Sequence, residues 1–256
     1  MRVLLTNDDG LTAPGLLALA RAMRSAADTF VVAPEHERSA ASHAITLHKP
    51  LRVVRTTLGD TDVPAWATNG TPADCVVLGV LDLLGTPPDI VVSGLNRGAN
   101  LGMDLIYSGT VSGAVEAVMF GIPAMAISVA SFTDLHWDPA AAFATNLAVE
   151  VNRHGLPPDT FLNVNVPNVP ADAIRGVEIT RQSSRRYVSR LEKRSDPRGR
   201  DYYWLTGSPE GGESDPGTDA WAVAESRISV TPLRLDMTHA ELTPMFRSWN
   251  LKVPAR

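Results

Sequence analysis

Two adjacent carboxylates, Asp8 and Asp9, close the apolar run Arg2-Val-Leu-Leu-Thr6 and are followed by Gly10. Side by side at a strand end they repel, and leaving such a pair uncompensated in a partly buried cleft is costly. A hard divalent cation bound through oxygen removes that penalty. The alternative is that one aspartate caps the next helix while the other faces water. Ser39, in Pro34-Glu-His-Glu-Arg-Ser39, brings a hydroxyl just after the second apolar run, as a metal ligand, a phosphate contact or a plain turn residue. In Ser93–Gly102, Asn96 and Asn100 offer neutral oxygens or amide donors, and Arg97 offers a partner for phosphate. The glycines of that loop let backbone approach a ligand closely. Tyr107-Ser-Gly-Thr-Val-Ser-Gly113 then opens a helical run. Small hydroxyl residues at a helix start either cradle phosphate, through unpaired amides and the positive dipole end, or simply cap the helix. Thr110 and Ser112 are the expected caps.

Other signatures set bounds on this chemistry. His36 and His43 could act as acid–base groups, but no His/Cys spacing fits a closed zinc site, so surface or locally bonded histidines are expected. Neither G-x-x-x-x-G-K-[ST] nor G-x-G-x-x-G after a strand is present. A phosphatase that uses a covalent aspartate of the haloacid-dehalogenase kind wants D-x-D, whereas these carboxylates are adjacent.

These loops need a frame that brings them together. Short apolar runs (residues 2–6, 30–33, 90–93, 124–129 and 161–166) alternate with helical patterns at 14–25, 73–84, 112–120 and 140–154. Such alternation implies a mainly parallel sheet covered on both faces, with ligands bound beyond the carboxyl ends of its strands. The fold expected is Rossmann-like, a three-layer α/β/α arrangement over a single domain of residues 1–256. Residues 1–135 form its core and 136–256 its C-terminal part. Residues 34–70 make an excursion, with a hairpin expected around Ile45–Leu47 and Leu51–Arg55. The basic, then glycine-rich stretch 181–217 reads as an extended arm, for which RNA binding is a weaker reading than a solvated or subunit-facing role.

Bulk properties exclude several classes. The 256 residues are 44% hydrophobic and 20% charged, enough for a core without disulfides. The net charge of −5 gives no general reason to bind nucleic acid or anionic membrane. Cys75 is the only cysteine, which fits a reducing compartment. The apolar stretch 114–130 is broken by Glu116, Gly121 and Pro123, and Asn7-Asp8-Asp9 interrupts the first apolar run too early for an export signal. A cytoplasmic location is expected.

Taken together, L-L-T-N-D-D-G at 4–10, A-P-E-x-E-R-S at 33–39, V-S-G-x-N-x-G-x-N-x-G at 92–102 and Y-S-G-T-V-x-G-A-x-E-A at 107–117 resemble the SurE family of stationary-phase survival proteins, which act as 5′/3′-nucleotidases. Thr218-Asp-Ala-Trp-Ala-Val223 and Ile228-Ser-Val-Thr-Pro-Leu233 resemble its C-terminal signature, so the likeness spans essentially the whole chain. The resemblance implies a divalent-metal phosphatase acting on nucleoside 5′- and 3′-monophosphates, and on short polyphosphate as a further substrate. It places metal-ligand roles on Asp8, Asp9, Ser39 and Asn96, with magnesium or manganese as the ion. It places phosphate contacts on Asn7, Ser108, Gly109 and Thr110. Asp8 or Asp9 would then act as general base, or less readily as nucleophile. Homodimers or homotetramers that exchange C-terminal elements are implied as well. The reading from another class is a nucleotide-binding sensor that binds AMP and releases no phosphate.

Overall fold

The computed structural model describes residues 1–249 and 251–253. Its central sheet has nine strands: β1 (Arg2–Thr6), β2 (Asp28–Pro34), β3 (Val53–Thr57), β4 (Pro64–Thr68), β5 (Ile90–Arg97), β6 (Ala124–Val129), β7 (Thr160–Val166), β8 (Val177–Ile179) and, later in the chain, β11 (Ile228–Arg234). They lie in the order β3-β4-β2-β1-β5-β6-β7-β11-β8. From β4 to β7 every neighbouring pair is parallel, while β3 and β11 run antiparallel to β4 and β7. The central strands are buried on both faces, β6 and β7 along their whole length, which is why they read as unbroken apolar runs.

Helices cover both faces. Helix α1 (Pro14–Met23) has proline in its first turn and buries Leu16, Leu19, Ala20 and Met23; it packs with α4 (Trp137–His154) on one face. The other face carries α2 (Pro72–Leu78) and α3 (Gly109–Met119). Thr71 and Asp74 close a capping box at the start of α2, each side chain accepting the other's backbone N–H. Such a cap contributes about 1 kcal/mol. The helix expected over 73–84 ends as α-helix at Leu78 and continues as a single π-helical segment, Gly79–Leu83.

The hairpin expected around residues 45–55 does not form. Residues 45–47 lie outside any strand, and Val53–Thr57 pairs instead with Pro64–Thr68 as an edge pair. Leu58 and Val63, in the short link between those strands, are buried and anchor the turn. Residues 181–217 contain a separate two-stranded antiparallel hairpin, β9 (Arg186–Ser195) and β10 (Asp201–Glu210). Helix α5 (Asp219–Ala224) leads back into the sheet, and α6 (Thr243–Ser248) follows β11. Among the described residues, no helix is long and apolar enough to cross a membrane.

Candidate functional site

Because β1, β2 and β5 are parallel neighbours, their carboxyl ends open on one edge, and the segments after them meet there. Backbone ties hold them in place. The amide of Arg38, next to Ser39, donates to the Asp8 carbonyl at 2.7 Å. The amide of Arg97, next to Asn96, donates to Asp9 Oδ2 at 3.1 Å. The Thr110 hydroxyl, in the first turn of α3, donates to Asp8 Oδ1 at 2.5 Å. The other three polar segments singled out in the sequence are thus joined to the Asp8-Asp9 turn.

Asp8 is buried, and burial pushes its carboxyl up from the usual 3.8 to about 6; the Thr110 hydroxyl draws it back, and the neighbouring Asp9 charge raises it again. Asp9 is also raised by burial, against the pull of the Arg97 amide and guanidinium. Two acidic groups held partly against their own ionisation are suited to a cation. Asn7 Nδ2 must face the Gly10 carbonyl, to which it donates at 3.0 Å, so its buried Oδ1 is left without a partner. Asn96 Nδ2 likewise donates to the Gly98 carbonyl at 2.8 Å, leaving Oδ1 as the atom available to a ligand. Ser39 is exposed and donates to Glu37 Oε1 at 2.6 Å. Carboxylate, amide and hydroxyl oxygens form a hard donor set, which fits magnesium or manganese better than a soft ion. Among the described residues no group of three or more His, Cys, Asp or Glu is placed to hold a metal, so serine and asparagine would have to complete any such set.

At the start of α3 the cap is Ser108, whose Oγ accepts the Val111 amide at 3.1 Å, rather than Thr110 or Ser112. Thr110 is diverted to Asp8, and Ser112 donates to the Gly109 carbonyl. The amides of Gly109 and Thr110 belong to the helix's first turn, where no intrahelical carbonyl reaches them. Gly109 is also a steric requirement, since a Cβ there would stand 2.7 Å from Asp8 Cβ.

Two other polar side chains have structural partners. Asn100 donates through its backbone amide to Asn165 Oδ1 and through Nδ2 to Ser128, and its carbonyl accepts from Asn163 and Asn165, so it fastens the loop to β6 and β7. His43 Nε2 lies 2.7 Å from the buried Glu116 of α3, a local bond rather than part of the carboxylate cluster.

The family model described as survival protein SurE matches residues 3–189. The chain belongs to the SurE family. A 5′-nucleotidase SurE of Geobacter sulfurreducens is 52% identical, the alignment covering 98% of this chain and 94% of that protein. One from Heliobacterium modesticaldum is 49% identical over 97% of this chain and 92% of its own length. The crystal structure of the SurE protein from Aquifex aeolicus superposes with a TM-score of 0.85 at 40% identity, covering 98% of this chain and all of that one. The parallel sheet and its C-terminal hairpin are therefore the SurE architecture.

A cleft of about 440 Å³ opens beside Asp9. Glu37, Arg97, Phe132 and Trp137 line it, and two of these, Phe132 and Trp137, lie in a segment with no motif signal. Only the exposure of Phe132, 73% in the folded chain, sets it apart, and sequence does not show exposure.

Proposed function

We propose that this chain is a metal-dependent 5′-nucleotidase that hydrolyses nucleoside monophosphates to nucleoside and phosphate. The observation that carries the reading is the buried Asp8 carboxylate, bonded to the first turn of α3 and set beside Asp9, with hard oxygen donors around it. Its relatives' name, 5′-nucleotidase SurE, agrees with that chemistry. One divalent cation, magnesium or manganese, would be held by Asp8, Asp9, Ser39 and Asn96. When bound, its contribution is Lewis-acid polarisation of a phosphate oxygen and neutralisation of charge.

The chain's own groups do the rest. The first-turn amides at Gly109 and Thr110, with Ser108 holding the turn, receive the phosphate's non-reacting oxygens and stabilise charge that grows on them. Asn7 presents an acceptor, Oδ1, that fits a water or a protonated phosphate oxygen. We assign the aspartates the base role in preference to the nucleophile role: a carboxylate oxygen of Asp8 or Asp9 not engaged by the cation would accept the water proton.

The same site accounts for 3′-monophosphates and short polyphosphate as further substrates, since the contacts engage phosphate rather than sugar. We propose a single functional unit over residues 1–256, a cytoplasmic location, and a homodimer or homotetramer joined through the 181–217 arm. Phosphate release from AMP, 3′-AMP and tripolyphosphate, with manganese and with EDTA, tests the activity. Release that EDTA abolishes is expected. AMP binding without release would return the sensor reading.

A further inference from the structure

We infer that Phe132 is the base-stacking platform of this site, so that the cleft beside Asp9 takes the nucleoside half of the substrate. The inference rests on the nucleotidase reading and adds to it the residue that recognises the base. Phe132 carries a large apolar ring that is 73% exposed. Such a ring in open water at the mouth of a polar cleft calls for an occupant.

The surroundings hold the ring where it is. Gly98, at φ +104°, lies under it, and a Cβ there would come within 2.6 Å of the Phe132 ring. The glycine therefore lets the ring lie over the backbone that follows Asn96 and Arg97. Asn168, beyond β7, grips the loop on its other side: Nδ2 donates to the carbonyls of Thr133 and Asp134, and Oδ1 accepts the His136 amide at 2.8 Å. Trp137 packs down onto Gly15 at the start of α1, where a Cβ would meet its ring at 2.8 Å, and this closes the cleft floor. The loop is thus pinned at three points while the ring face stays open.

Position completes the case. The cleft is lined by Asp9 and Arg97, of the carboxylate site, together with Phe132 and Trp137. A phosphomonoester seated at Asp8-Asp9 would project its alcohol portion along it. An aromatic face lining that cleft selects a flat, π-faced leaving group over an aliphatic one and tolerates every base, purines most because they overlap more of the ring. Thr133 and Asp134 add polar groups at the rim for the base edge.

The test compares AMP with glycerol 2-phosphate, both with manganese, in the full-length chain, Phe132→Ala and Phe132→Trp. The expected result is a fall of about tenfold in the AMP-to-glycerol-phosphate ratio of kcat/KM in Phe132→Ala, carried by the AMP KM, the size of one base–aromatic stack. Phe132→Trp should restore it. An unchanged ratio, or an equal fall for both substrates, overturns the inference. Adenosine, which has no phosphate, is titrated calorimetrically against the same three proteins. Weaker adenosine binding in Phe132→Ala supports the platform even if AMP were never hydrolysed, and equal binding overturns it even if hydrolysis is confirmed.

Discussion

Gly109 packs directly against Asp8: a Cβ on Gly109 would lie 2.7 Å from Asp8 Cβ and 2.8 Å from Oδ2. The first residue of α3 has no side chain because a carboxylate fills the space. Gly109→Ala must therefore push either the aspartate or the helix start out of place. Glycine's φ at this position is not left-handed, so the helix itself tolerates alanine and the fold should survive. A displacement near 1 Å is enough to cost about a hundredfold in rate. The expected outcome is a fall of that order in AMP turnover with an almost unchanged circular dichroism spectrum. Full activity in Gly109→Ala would show that Asp8 need not stay where it is.

Thr110→Val removes the hydroxyl that donates to Asp8 at 2.5 Å but keeps the shape and burial of the side chain. A hydrogen bond to a charged group contributes about 1.5–3 kcal/mol. Without it the carboxyl, already raised by burial, rises further. Manganese then competes against a more tightly held proton. Isothermal titration at pH 7 should show binding weakened by about two- to fifteenfold, with a smaller deficit at pH 8. The same affinity as the parent at both pH values would remove Thr110 from the site.

Asp8 makes the metal-free protein less stable as pH rises. Its carboxyl is raised from 3.8 to about 6, so between those values the folded chain holds a proton that the unfolded chain has lost. Stability contributed by that proton is present below about pH 4 and is lost as pH climbs through 6. Asp8→Asn stays neutral throughout. In EDTA its advantage over the parent should grow from nothing near pH 4 to about 2–3 kcal/mol at pH 7, following the shift. Saturating manganese should reverse the order, since only the parent gains ligand-linked stability. Thermal melts of both proteins at pH 4.5 and 7, with and without metal, check all four corners.

Much of this arrangement is legible in the sequence. Asp8-Asp9, Ser39, Asn96 and Ser108–Thr110 each follow an apolar run or open a helix, and parallel strands put their carboxyl ends on one edge. What could not be read depends on tertiary competition. Three hydroxyls compete to cap α3, and Ser108 does so because Asp8 claims Thr110. Asn96 and Asn100 sit in identical local patterns, yet Asn100 is drawn to Ser128 of β6, 28 residues on, and to Asn165 of β7, 65 residues on. No hairpin forms over 45–55 because Val53–Thr57 pairs with Pro64–Thr68, and pattern alone does not rank partners. Phe132 gave no signal because its role lies in staying exposed.

The β9–β10 hairpin leaves several large apolar side chains exposed, among them Leu191, Tyr203, Trp204 and Leu205. Leu191 pairs across the hairpin with Leu205 and Lys193 with Tyr203, so these four side chains share one face. Leu191 and Leu205 are 70% and 67% exposed. An isolated two-stranded hairpin is marginal in water, so this one gains from being covered. In the proposed homo-oligomer a second copy of the chain would supply a matching surface, and a two-fold pairing of the hairpins would bury the leucines in mutual contact. Leu205→Glu would then place two buried carboxylates against each other across the axis. Light scattering should give a smaller mass for this variant than for the parent. The site residues lie outside the hairpin, so a monomeric Leu205→Glu protein should still bind manganese. An unchanged mass would move the subunit contact to another surface.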